Sequence, residues 1–283
     1  MRALPFKIPK PSNSAILFEI DEGVFYDQLH QHEEVQISLI KEGTGTLLVG
    51  DAIHTYQKGD LLILGAKQPH VFKSENSDGH MHSIFFSAKT FGKEFLNLNE
   101  GKGVWDFCAF AKAGLKTNVT LETEALFNNV RKSEGILRLG YFLLLLSLLR
   151  RISNLELSDF VYAKSISEKD GQKMNAIFEY TLKNFNGEIK LKDIAEVATM
   201  TTNAFCKYFK GRTNKTYFEF LNEIRIENAC KLLANAPEKE VSDIAALSGF
   251  QTLSHFNRKF RSIKNCSPTD FKKTFSSRKQ INR

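Results

Sequence analysis

The 283-residue chain holds four cysteines, Cys108, Cys206, Cys230 and Cys266, far apart and never as a C-x-x-C pair. That spacing speaks against a zinc finger and against a disulfide framework, so free thiols in a reducing compartment are expected. Long hydrophobic runs are missing too. The most apolar stretch, Ile136 to Leu149, contains Arg138 and stops at Arg150-Arg151, short of the roughly 20 residues that cross a bilayer. Met1-Arg-Ala-Leu-Pro5 shows no apolar segment of a signal peptide. A soluble, cytoplasmic protein without membrane contact is therefore expected. There is no nucleophile elbow, phosphate-cradling glycine loop or zinc-protease helix. Lone carboxylates such as Glu33 and Glu34 read as a solvated strand entry. No catalytic residue and no cofactor is expected.

A hydrophobic content of 42% and a charged content of 25% are those of an ordinary globular protein, and the length suits two domains. The charge divides unevenly. Residues 1–170 hold 19 Lys and Arg against 21 Asp and Glu, a net of −2; residues 171–283 hold 20 against 11, a net of +9. Positive charge confined to the C-terminal part suits a phosphate backbone.

That basic part contains one supersecondary unit twice. The first copy runs Leu191-Lys192-Asp193-Ile194-Ala195, then Met200, Phe205, Phe209, Asn214 and Phe220. The second runs Val241-Ser242-Asp243-Ile244-Ala245, then Phe250, Phe256, Phe260, Asn265 and Phe271. The offset is 50 residues up to Met200/Phe250 and 51 from Phe205/Phe256, which puts one extra residue at the start of the second copy's downstream helix. Each copy reads as helix, turn, helix, with Asp193 or Asp243 favouring the positive end of a helix dipole. Thr201 or Thr202, and Thr252, are placed to cap the second helices. Phe205, Tyr208, Phe209, Phe256 and Phe260 are the expected core face. Tyr217 to Ala234 reads as a single connecting helix, and Met174 to Asn184 as a leading helix that buries Ile177, Phe178 and Leu182.

The runs Arg225-Ile-Glu-Asn-Ala-Cys-Lys-Leu-Leu233, Val241-Ser-Asp-Ile-Ala-Ala-Leu-Ser-Gly-Phe250, Ser254-His-Phe-Asn-Arg-Lys-Phe260 and Ser267-Pro268 resemble an AraC-type transcriptional regulator over about the last hundred residues. Asn214 and Asn265 stand where that pattern has glycine, and asparagine tolerates the left-handed conformation that ends a helix. The resemblance implies a second helix in each copy that enters a DNA major groove. Exposed positions near its N-terminal half are Thr202, Asn203, Cys206 and Lys207 in one copy, and Thr252, Leu253, Ser254, Asn257 and Arg258 in the other; the resemblance points to the same positions for base contacts. Asn203 suits adenine, Lys207 and Arg258 guanine or phosphate, and Leu253 a thymine methyl. Lys210, Arg212, Lys259 and Arg261 suit phosphate.

From Ile16 to Phe86 short strands alternate with turns: Ile16–Ile20, Val35–Ile40, Thr46–Val49, Ile53–Tyr56, Leu61–Leu64, His70–Lys73 and Met81–Phe86. Gly50-Asp51 suits a tight hairpin, and strands this close suggest a sandwich or jelly-roll barrel. His30-x-His32, Gln36, Gly43, Gly59-Asp60 and Pro69-His70 resemble a cupin, a barrel that AraC-type regulators often carry as a sensor. In metal-binding cupins two histidines, a carboxylate and a later histidine converge. Here Gln36 takes the carboxylate position, and a neutral amide is a poorer ligand. His30, His32, Gln36 and His70 are therefore expected to line an effector pocket without metal. A metal-dependent cupin enzyme with an accessory helical domain is the alternative. His80 and His82 share one strand face.

Between Phe91 and Arg151 the period changes to that of helices. Gly135 to Arg150 is apolar on nearly every face and needs cover all round, either inside a monomer core or against the same helix of a second subunit. The resemblance favours the dimer, which suits repeated half-sites. The expected organisation is a cupin-like barrel at 1–90, a helical dimerisation segment at 91–162, a linker at 163–172, and an all-α DNA-binding domain at 173–276 with helix-turn-helix units at 191–210 and 241–261. The function implied is sequence-specific regulation of transcription. The partners implied are a double-stranded DNA operator or promoter, a small-molecule effector, a second copy of the chain and RNA polymerase.

Overall fold

A computed structural model describes residues 14–158, 168–236 and 238–281. The chain divides into two compact units, Met1–Gln172 and Lys173–Arg283.

The first unit opens with seven strands: β1 (Ile16–Glu22), β2 (Val35–Glu42), β3 (Gly45–Val49), β4 (Ala52–Tyr56), β5 (Asp60–Leu64), β6 (His70–Ser74) and β7 (His80–Phe86). Each lies within two residues of its expected bounds. Helices α1 (Lys93–Asn97) and α2 (Lys102–Phe110) follow, then strand β8 (Leu115–Asn118), α3 (Leu121–Lys132), α4 (Gly135–Leu149) and the two-residue strand β9 (Leu155–Glu156). The middle segment is thus not purely helical. β8 pairs antiparallel with β5, and β9 with β8, which extends one sheet to the order β1-β7-β2-β5-β8-β9 beside a second of order β4-β3-β6.

Strand alternation sends β2 to two cores. Val35, Ile37 and Leu39 pack with Phe86, Phe127, Phe142, Leu145 and Leu149 beneath the helices. Ile40 packs between the sheets with Leu47, Val49, Leu62, Leu64, Phe72, Tyr56 and Phe25. Gln36 and Ser38 share the parity of Ile40 and so belong to the interior face, both buried. The β3–β4 hairpin closes through Gly50, at φ 59°, and glycine first in a two-residue loop matches the twist of paired strands.

The second unit is all helix: α5 (Glu168–Asn184), α6 (Leu191–Val197), α7 (Thr202–Thr213), α8 (Tyr217–Asn235), α9 (Val241–Leu247), α10 (Leu253–Lys264) and α11 (Pro268–Ile281). The expected linker needs correction. Its residues Glu168–Gln172 are helical, so α5 starts six residues before Met174; residues 163–167 of that linker, like 1–13 of the expected barrel segment, lie outside the described residues. Met174, Ile177, Phe178 and Thr181 are all buried, a helical period that carries the polar turn before it into the same helix. Phe178 meets Phe220 at 5.2 Å, and Phe205, Phe209 and Tyr217 contact one another at 5.5–5.7 Å. The second half encloses Ile226, Ala229, Leu233, Ile244, Phe250, Phe256 and Phe260. Side chains like these contribute on the order of 1.5–3 kcal/mol each when fully buried.

The duplication is exact in element length: α6 and α9 have 7 residues each, α7 and α10 have 12. The extra residue of the second copy is Gln251, which sits in the turn between Phe250 and the cap Thr252, one step ahead of the helix rather than inside it. Among the described residues, no helix is long and apolar enough to cross a membrane.

Candidate functional site

The N-termini of α7 and α10 are built alike. The Thr201 hydroxyl accepts from the Ala204 N–H, and the Thr252 hydroxyl from the His255 N–H, each at 3.3 Å. Each cap satisfies one of the amides that a helix start leaves without a partner. At the other ends Asn214 and Asn265 both take φ 55° and donate their N–H to Lys210 and Arg261 carbonyls at 2.8 and 3.0 Å. Asparagine thus does the work of a glycine stop.

Both helices bury one stripe and expose the other. Phe205, Phe209, Phe256 and Phe260 are fully buried. Asn203, Cys206, Lys207, Thr252, Leu253, Ser254, Asn257 and Arg258 are exposed, and Thr202 is half-buried. Leu253 is a large apolar side chain left 44% in solvent. Tyr208, expected in the core, is half-buried instead, with the Arg212 guanidinium 5.0 Å and the Lys173 ammonium 6.0 Å from its ring centre. Cations hold there against the negative face of the ring.

Sequence reasoning missed two parts of this surface. A groove of about 580 Å³ runs along Asn257, Arg258, Arg261, Ser267 and Thr269 to the start of α11, where the Ser267 hydroxyl accepts from the Asp270 N–H at 3.1 Å. Ser267-Pro268 was legible as a motif but not as a wall of the groove. The other is Arg225, whose Nε and Nη2 donate to the carbonyls of Phe185 and Gly187, both at 2.8 Å. Nothing local in sequence signals that contact.

In the first unit, His30 and His70 pair through their backbones, N–H to carbonyl in both directions at 3.0 and 2.9 Å. The His32 carbonyl accepts from the Lys67 N–H at 2.7 Å. The three imidazoles expected in the pocket are thereby brought together, with a ring nitrogen of each within 4.8 Å of the others. Gln36 joins them, its Oε1 3.1 Å from His32 Nε2, and continues through Ser38 Oγ to Ser83 Oγ at 2.8 Å per step. Each Nδ1 lies against a backbone carbonyl: His30 on Gln28 at 2.9 Å, His32 on Glu34 at 3.0 Å, His70 on Gln68 at 2.8 Å. Burial pushes the His30 imidazole down to about 4 and His70 well below its ordinary value, so both are neutral at physiological pH. His80 and His82 belong to the opposite face of the sheet, where His82 meets Phe18 edge-on at 5.6 Å.

The chain matches two sequence families, an AraC-like ligand binding domain over residues 14–100 and a helix-turn-helix domain over residues 194–274. The HTH-type transcriptional activator RhaR of Mannheimia succiniciproducens is 24% identical over 253 residues, 87% of each chain. The uncharacterized HTH-type transcriptional regulator YdeC of Bacillus subtilis is 22% identical over 265 residues, 88% of this chain and 87% of its own. Among solved structures, ToxT from Vibrio cholerae matches 92% of this chain and 98% of its own at 14% identity and a TM-score of 0.37, too low to bear on the arrangement. The family is one of transcriptional regulators rather than enzymes, which removes the cupin-enzyme alternative. With a ligand-binding domain before a duplicated helix-turn-helix, the chain is a DNA-binding transcriptional regulator of the AraC family.

Proposed function

We propose that the regulator reads an operator with α7 and α10 together and that an effector in the barrel controls how the DNA-binding units are presented. The observation that carries this is the matched pair of helices, capped alike and stopped alike, each with buried phenylalanines behind an exposed polar stripe. Thr202, Asn203, Cys206 and Lys207, with Thr252, Leu253, Ser254, Asn257 and Arg258, face base edges in this reading. Lys210, Arg212, Lys259 and Arg261 hold phosphates and set the register. The 19-residue α8 is about 28 Å long and spaces the two helices rigidly. Successive major grooves on one face repeat at about 34 Å, so both insert only with some bending of the duplex.

The effector pocket is the interior end of β2 with its flanking turns, lined by His30, His32, Gln36 and His70. A second copy of the chain is the partner for α4. Its positions 136, 137, 140, 144 and 147 are exposed along one face, with Ile136 90%, Leu137 59% and Leu144 57% in solvent. Gly140 has open space beside it, which allows close approach of a second helix. Effector binding favours one arrangement of the dimer over another. RNA polymerase is the further partner at a promoter. The domain limits 1–90, 91–162 and 173–276 fit this division of labour.

The reading is tested by genomic pull-down with purified protein, followed by thermal-shift screening with sugars, aromatic acids and other small metabolites. A discrete DNA motif, and a metabolite that both stabilises the protein and changes its affinity for that motif, are the expected results. Binding spread evenly over the genome would reject operator recognition. A stabilising metabolite that left operator affinity unchanged would reject effector control.

A further inference from the structure

We propose that the cavity between α2 and α4 binds a free α-amino acid with an apolar side chain, its carboxylate on Arg151 and its ammonium on Glu100. This site is separate from the barrel pocket and goes beyond the effector reading.

The cavity measures about 450 Å³, within the range of small-molecule sites. Its floor is Val104 and Leu146, 1% and 3% exposed. Both belong to the core beneath the helices and not to the core between the two sheets. The polar groups come from two sides. Glu100 stands in the turn between α1 and α2, where Gly101 packs so tightly on the Phe95 carbonyl that no side chain fits. Arg150 and Arg151 close the end of α4, their N–H groups donating to the Leu146 and Leu148 carbonyls at 3.3 and 2.9 Å.

Arg150 is met by Asp106, Nη1 to Oδ2 at 3.4 Å. Among the described residues, Glu100 and Arg151 have no ion-pair partner and do not pair with each other. The helix dipole favours cations at a C-terminus, which accounts for two arginines at the end of α4. It does not account for a carboxylate at the same cavity that meets neither of them. A separated carboxylate and guanidinium over an apolar floor match a molecule that carries both charges on one carbon beside an apolar group. A simple acid would leave Glu100 unmatched, and a simple amine would leave Arg151 unmatched. Room is present beside Gly103, where a Cβ would meet nothing within 4 Å. Ser147 belongs both to this cavity and to the exposed face of α4, so an occupant lies beside the dimer contact.

The test is titration of the full-length protein, followed by ligand-observed NMR, with L-leucine, with isocaproate, which lacks the ammonium, and with isopentylamine, which lacks the carboxylate. Leucine is expected to bind with a Kd of about 1 mM, and each analogue about tenfold more weakly. Glu100→Gln should bring leucine down to the level of isocaproate, and Arg151→Gln to that of isopentylamine. Gly103→Leu fills the cavity and favours the helix, so it should abolish binding with circular dichroism unchanged. No leucine binding at about 10 mM, or equal affinity for leucine and isocaproate, overturns the proposal. So does a loss of leucine binding from Gln36→Ala in place of Glu100→Gln, which would put the ligand in the barrel. Sedimentation velocity covers the remaining occupant: if Gly103→Leu dissociates the dimer and leucine does not bind, the cavity belongs to a second copy of the chain and the proposal fails.

Discussion

Arg225, in the middle of α8, donates through Nε to the carbonyl of Phe185, one residue past the end of α5, at 2.8 Å. Its Nη2 reaches the Gly187 carbonyl at the same distance, and its guanidinium lies 5.9 Å from the Phe250 ring centre. One side chain on the connecting helix therefore grips the segment that enters the first helix-turn-helix and the turn of the second. Carbonyls at a helix end have no partner within the helix, and a planar fork meets two of them at once. Arg225→Ala should destabilise the C-terminal unit by about 1.5–3 kcal/mol, measured by urea denaturation. Arg225→Lys restores the charge without the fork and should recover less than half of that.

Gly249 is held against the same carbonyl. A Cβ there would stand 2.5 Å from the Phe185 oxygen and 2.9 Å from Arg225 Nε, at φ +84°. The first copy has Thr199 in the equivalent turn, at φ 55°, so the chain already carries a Cβ there. Gly249→Ala should therefore cost more than about 2 kcal/mol, whereas Thr199→Gly should be tolerated. Thermal denaturation of the two variants side by side checks the asymmetry.

His82 gives the first unit a pH dependence. Burial, then His80, Arg131 and Lys41, hold its imidazole down to about 4, opposed by Glu124. The unfolded chain takes up this proton near the ordinary value of 6.5 and the folded chain only near 4. Between those values the unfolded state binds more protons, so stability falls as pH falls. His82→Gln should flatten the stability profile between about pH 6.5 and 4, read from denaturation midpoints of the N-terminal unit.

The exposed face of α4 should be the dimer contact. Leu144→Glu replaces a leucine that is 57% in solvent, so the fold of one subunit should survive. Dimer dissociation should rise about tenfold or more, since burying one such side chain contributes roughly 1.5–3 kcal/mol. Sedimentation velocity with circular dichroism distinguishes a monomeric fold from a damaged one.

Much of this was legible in the chain itself. Seven strands could be read because short apolar runs are broken by turn signals such as Gly43-Thr-Gly45, Gly50-Asp51 and Gly59-Asp60, and the Asn214 and Asn265 helix stops because few residues accept a positive φ. The remainder depended on neighbours distant in sequence. Leu115–Asn118 is only four residues long, and its strand character comes from β5. Glu168–Gln172 resembles a linker in composition but continues the period of Met174 and Ile177. Tyr208 carries an aromatic ring at core spacing, yet Arg212 and Lys173 draw it to the surface. His30 and His70 were legible as candidates, but their backbone pairing across 40 residues was not. Arg225 sits in a legible motif, and its role appears only once Phe185 is beside it.

The central claim is that both recognition helices read bases while the basic residues around them set the register. It is tested by measuring affinity of the full-length protein for its recovered operator and for a scrambled duplex over a series of salt concentrations. Lys207→Ala and Arg258→Ala should each narrow the gap between operator and scrambled DNA by about 1–3 kcal/mol, and Lys210→Ala and Arg261→Ala should weaken both duplexes alike while lowering the salt slope by about one. Equal affinity of the wild type for both duplexes, or losses from Lys207→Ala and Arg258→Ala that fall equally on both, would contradict the account.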